Sequence, residues 1–168
     1  MKRVFPLALV TLGILLSLAA FGQLYRDARG ASLETGGLPT QIAGLDLTDS
    51  VSGESAIAEF TSLHGKEFPV TSGSIDYYGE GRITLWLAGT SKQSIAAEMV
   101  GSMQARIAEG NSPFTPVKEI QDNNRIVYVL DGMGQKHYYF QSENSVIWLA
   151  SDQSIADKAI QQVLEVYP

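Results

Sequence analysis

Apolar and polar residues follow two rhythms along this chain, and the points where one gives way to the other divide it into elements. Ile57, Phe60 and Leu63 recur at helical spacing and predict a helix running to Leu63, with Ser52 as its cap and Gly65 as its stop. Strand rhythm takes over from Val70 to Tyr78, breaks at Gly79-Glu80-Gly81 and resumes from Arg82 to Ala88, the pattern of a hairpin. A second helix is predicted from Thr90-Ser91. Thr90 and Gln93 have capping-box spacing, Ile95, Met99, Met103 and Ile107 form one stripe, and Gly110-Asn111 ends it. Pro113 and Pro116 keep the following stretch out of a helix.

Short strands are then predicted at Val117–Gln121, Arg125–Leu130, Lys136–Gln141 and Ser145–Ala150. Their separators, Asp122-Asn123-Asn124, Gly132-Met133-Gly134 and Ser142-Glu143-Asn144, are residues that tolerate tight turns. A last helix is predicted from Gln153 to Val166, with Ile155, Ala159, Val163 and Tyr167 on one side.

One motif occurs twice. Tyr77-Tyr78, Ile83-Thr84-Leu85-Trp86-Leu87-Ala88 and Ser94-Ile95-Ala96 are echoed by Tyr138-Tyr139, Val146-Ile147-Trp148-Leu149-Ala150 and Ser154-Ile155-Ala156. The expected fold class is therefore α+β: an antiparallel sheet of about six strands with three helices on one face, built as two pseudo-symmetric ββα halves in a ferredoxin-like or related sandwich. That class carries no function with it.

The strands are apolar on both sides. Leu85 and Leu87 point one way and Trp86 and Ala88 the other, and Ile147 and Leu149 oppose Trp148 in the same manner. With helices on one face, Trp86 and Trp148 fall on the other. Either another segment covers that face, or it is a contact surface. Trp86, Trp148, Tyr78 and Tyr139 are its candidate interaction residues.

The N-terminus sets the compartment. Lys2 and Arg3 precede an apolar run from Val4 to Gly22. Such a run is a membrane anchor, or a signal peptide cut after Ala20-Phe21-Gly22. Both place the remainder outside the cytoplasm: single-pass in the cell membrane, or secreted or periplasmic after cleavage near Gly22. The expected organisation is an anchor or signal at 1–22, a flexible linker at 23–39 and the folded α+β domain at 40–168.

The formal net charge is −6, and all 18 acidic residues lie beyond the apolar run. An acidic domain repels phosphate backbones, so nucleic acid is not an expected partner. The expected partners are the membrane, through the N-terminal helix, and subunits of a membrane complex or a second copy of the chain.

The chain has no cysteine, which excludes disulfides, thiol catalysis, cysteine zinc sites, covalent c-type haem and a lipidated cysteine anchor. It also has no GxSxG elbow and neither of the common Gly-rich phosphate loops. Asp76, Glu80 and Glu119 read as solvated turn or strand-edge charges.

His64 reads as a helix C-terminal cap and His137 as a hairpin residue. With Met133 they form a low-ranking ligand set for a soft metal or small molecule outside the cell. The leading expectation is a non-catalytic accessory or interaction module that needs no cofactor. The alternative is an extracytoplasmic small-molecule or metal-binding protein using His64 and His137.

Overall fold

The computed structural model describes residues 38–64, 69–110 and 112–168. The expected anchor or signal at 1–22, and the linker up to residue 37, lie outside the described residues. Among the described residues no helix is long and apolar enough to cross a membrane. The elements run β1 (Gln41–Ile42), β2 (Leu45–Ser52), α1 (Glu54–His64), β3 (Val70–Tyr78), β4 (Ile83–Thr90) and α2 (Gln93–Ala108). They continue as β5 (Phe114–Asp122), β6 (Arg125–Gly132), β7 (Gln135–Ser142), β8 (Ser145–Asp152) and α3 (Ala156–Val166).

The eight strands make one antiparallel sheet in the order β1-β2-β3-β4-β8-β7-β6-β5, curled into a half-barrel. The expected sandwich of about six strands with ferredoxin-like halves is incorrect: the domain is mostly sheet. Two meanders, β1 to β4 and β5 to β8, meet along the β4–β8 pair, where Trp86 lies directly opposite Trp148. The twofold relation suggested by the repeated motif extends to the strand order but not to the helices. α2 packs beside Trp148, Tyr139 and Val146 on one face. α3 packs on Leu85, Leu149 and Phe140 on the other. A twofold axis through the sheet would have kept both helices on one side.

The physical reason lies in the central strands. β4 and β8 are buried almost throughout, as strands covered on both faces must be. Three helices on one face would have left a row of large apolar side chains in water. Instead α1 and α2 cover the Trp86 and Trp148 face, and α3 fills the opposite, concave one.

The concave side wraps α3 from both ends of the sheet. At the β1–β2 turn, the Ala43 amide donates to Gln162 Oε1 at 2.5 Å. At the β6 end, Arg125 donates to the Leu164 carbonyl at 3.2 Å and to the Tyr167 carbonyl. The same guanidinium pairs with Asp122 at 2.8 Å and lies 4.7 Å from the centre of the Phe140 ring.

Several element boundaries differ from the sequence-based expectation for local reasons. β2 lies where no strand was predicted. Its Leu45/Leu47 alternation is interrupted by a bulge between Leu47 and Asp49, which hides the period. Ser52 ends β2 and does not cap α1. Thr90 belongs to β4: its amide and hydroxyl each lie 2.8 Å from the Asn144 carbonyl, so α2 starts later, with Lys92 at the cap position and no side-chain cap bond.

In α2 the buried residues are Ala96, Val100 and Ile107, while Ile95, Met99 and Met103 are only partly covered. A strict step of four overshoots each turn by about 40°, so the predicted stripe drifts off the contact line. α1 needs a close approach at one point. A Cβ on Gly73 would sit 2.6 Å from the Phe60 ring, so glycine there lets the helix settle on β3. The β6–β7 turn is a two-residue loop with Met133 and Gly134 both at positive φ, the type I′ geometry that suits a twisted hairpin.

Arg125→Ala removes the tie between β6 and the end of α3 and leaves two carbonyls unserved. It is expected to destabilise the domain by about 2–4 kcal/mol. The check is a lower urea midpoint with an unchanged slope. Leu63→Ala, at a position 70% exposed, should stay within about 0.5 kcal/mol of the parent.

Candidate functional site

On the face covered by α1 and α2, one row of side chains crosses the sheet in register: Ile75, Trp86, Trp148, Tyr139, Tyr128 and Glu119, from β3 to β5. Cross-strand neighbours on one face stand close enough for aromatic rings to meet, and here they stack. Tyr139 lies 5.4 Å from Trp148 at 15° and 4.7 Å from Tyr128 at 14°. Phe114 stands edge-on to Trp148 at 5.0 Å and to His137 at 4.8 Å.

The four expected interaction residues are divided by this arrangement. Trp86 and Trp148 are adjacent and half-buried, Trp86 packing with Phe60 of α1 and Trp148 with residues of α2. Tyr139 joins them and is 1% exposed. Tyr78 is on the concave face, fully buried, and its hydroxyl donates to the Pro39 carbonyl at 2.9 Å.

The low-ranking ligand set does not converge. His64 ends α1, which packs on β2 and β3; its side chain lies outside the described residues. His137 is on β7, beyond β4 and β8 in strand order. Met133 is at the β6–β7 turn, 78% exposed. Among the described residues no three His, Asp or Glu side chains are grouped to hold a metal ion.

His137 itself is 4% exposed and both ring nitrogens are engaged. Its Nε2 is 3.0 Å from the Gly132 carbonyl, which only accepts, so Nε2 carries the proton. The Trp148 indole N–H donates to Nδ1 at 3.2 Å. This neutral tautomer is what burial favours. Desolvation pulls the His137 pKa below its ordinary value, against the smaller opposing effects of the Gly132 carbonyl and the Asp131 charge.

Two features were missed in the sequence. The first is a groove of about 290 Å³ between the C-terminal half of α2 and β5–β6, lined by Gln104, Ile107, Glu119, Tyr128, Leu130 and Tyr139 among others. Neither tyrosine hydroxyl bonds to any described residue. Burial is the main cause raising both phenol pKa values, and Glu119 adds to it in each case. Alternation placed Tyr139 on a face, but only the strand order brings Tyr128 and Glu119 into its row.

The second is on the concave face. Asp76, expected to be solvated, is 0% exposed and accepts hydrogen bonds from the Ser50 and Ser74 hydroxyls at 2.5 and 2.7 Å. Tyr167 lies in the same interior. Its hydroxyl has no hydrogen-bond partner among the described residues, and its pKa is pushed up to about 12, by burial first and by the Asp76 charge second. The sequence signal was Ser74-x-Asp76, a serine and a carboxylate on one side of the strand beside Ile75, Tyr77 and Tyr78. By contrast, Glu80 and Glu119 are exposed as expected.

Because the folded state depresses the His137 pKa, its contribution to stability is fully present above about pH 6.5, the unfolded value, and is lost as pH falls toward the folded one. Urea midpoints at pH 5 and 7 should therefore differ more in the parent than in His137→Gln, which keeps a neutral hydrogen-bonding side chain. Equal pH dependence in the two proteins would contradict this burial of neutral His137. No protein-family model, curated protein or solved structure matches the chain.

Proposed function

We propose that this chain is a non-catalytic accessory or interaction module, held at the outer face of a cell membrane by its N-terminal apolar run or released there after cleavage near Gly22. The location rests on Lys2 and Arg3 standing before the run from Val4 to Gly22. The contact surface is the β5 edge of the sheet, and one observation carries it: among the described residues β5 has no strand beyond it in the sheet, and it is exposed from Thr115 to Glu119. Val117 is 47% exposed there, and Ile126 of the adjacent β6 is 40% exposed.

An open strand edge with apolar side chains beside it suits attachment of another polypeptide. Pro116 and the adjoining bulge limit the edge to a partner that fits their irregularity. The opposite edge, β1, has two residues and offers no comparable length. Trp86 and Trp148 support the module from beneath its helices. The expected partner class remains a subunit of a membrane complex or a second copy of the chain. His137, with both nitrogens occupied inside the protein, lends no support to the metal-binding alternative.

The test extracts the full-length chain from membranes with a mild detergent and weighs it in the native state. The expected result is a species heavier than the 18.2 kDa chain. Val117→Lys places a charge in the contact and should reduce that species by about tenfold or more, a loss of the size typical for an interface centre. A parent protein found only as a monomer, or found free in the cytosol, would count decisively against the proposal.

A further inference from the structure

We infer that the groove between α2 and β5 is a binding site for a compact organic ammonium ion, seated on the open side of Tyr128 and held by Glu119. The groove shares Val117 and Glu119 with the proposed β5 contact but needs no partner there to form. It begins with the aromatic row. Trp148, Tyr139 and Tyr128 are stacked one on the next, and the row ends in the Glu119 carboxylate, the register partner of Tyr128. Tyr139 covers one side of Tyr128; the other is turned along the row toward β5 and the groove. A ring face with a carboxylate beside it attracts a cation through the ring quadrupole and through the full charge.

The surrounding charges agree. Lys118 also borders the groove, but strand alternation sends its side chain to the other face: Lys118 is the register partner of Val129, a concave-face residue, while Glu119 is that of Tyr128. Arg106 of α2 is engaged with Glu109 at 3.1 Å. Gln104 Nε2 donates to Glu119 Oε1 at a long 3.5 Å. The carboxylate is thus left without a charged partner among the described residues.

Size and lining set the remaining limits. A volume of about 290 Å³ is at the lower end for small-molecule sites, so a compact ion fits and an extended one does not. Ile107 and Leu130 present apolar surface, which suits methyl or methylene groups on the nitrogen better than a bare, strongly hydrated ammonium. The Tyr139 hydroxyl, on a residue 1% exposed and without a hydrogen-bond partner among the described residues, offers a polar contact at the floor.

Three probes of one shape separate charge from size: tetramethylammonium, tert-butanol and pivalate, carrying positive, zero and negative charge. Each is titrated into the full-length chain in a nonionic detergent while the methyl NMR signals of Ile107 and Leu130 are followed. The ammonium ion is expected to bind about tenfold or more tightly than the alcohol, and pivalate to bind least. Glu119→Gln should abolish the preference for the cation, and Tyr128→Leu should weaken cation binding, with both variants retaining the parent circular dichroism. Lys118→Gln should leave the preference intact. Equal binding of the three probes, no shift of either methyl signal, or a cation preference that survives in Glu119→Gln would each overturn the inference. Tyr128→Leu and native mass separate this outcome from that of the β5 contact: Tyr128 lies on β6, off the edge strand, so its loss should weaken cation binding and leave any assembly along β5 in place.

Discussion

The constraint on which the rest of this structure depends is the exclusion of water from both faces of β4 and β8. Leu85, Leu87, Ile147 and Leu149 project to one side of that pair, and Trp86, Ala88, Val146 and Trp148 to the other. Burial of such side chains is favourable by roughly 1.5–3 kcal/mol each, so neither face can be left to solvent. Once both must be covered, the helices cannot share a side. α3 occupies one face, α1 and α2 the other, and the twofold relation holds for the strand order but not for the helices.

The same constraint explains the curl. A flat sheet of this width would extend beyond a single helix of 11 residues. Bending it brings both ends within reach of α3, where Ala43 at one end and Arg125 at the other make polar contacts with its C-terminal half. Polar groups drawn into that interior are largely satisfied in place. Asp76 is served by two serine hydroxyls from β2 and β3, as a buried carboxylate requires, and Tyr78 finds the Pro39 carbonyl.

On the convex side, the covering is less complete toward β5. α1 and α2 lie over this face and α2 reaches β5, but the edge strand at the end of the aromatic row stays mostly exposed. The row therefore begins as core packing and ends as surface. Trp148 and Tyr139 are held by neighbouring rings and by the His137–indole hydrogen bond; Tyr128 and Glu119 are held by the same register but border the groove. One ladder thus serves both rigidity and recognition, and the rigid part orders the open part in advance.

Much of this was legible before any coordinates. The hairpin formed by residues 70 to 90, the meander after Pro113, all three helices and the apolar character of both strand faces follow from local spacing and turn residues, because backbone geometry fixes which side chains share a side. β2 was not legible, since a bulge breaks its alternation, and the cap of α2 was misplaced, since Thr90 is claimed by Asn144 from 54 residues away. Residue chemistry alone also marked Trp86, Trp148 and Tyr139 as neighbours in kind, and the absence of cysteine alone removed whole classes of chemistry. Only the tertiary structure decided that Tyr78 faces away from them, that Asp76 is buried, that His137 is neutral and fully bonded, and that Tyr128 meets Glu119 beside a groove. Those outcomes depend on strand order and on which helix covers which face, and both are set by contacts between residues far apart in the chain.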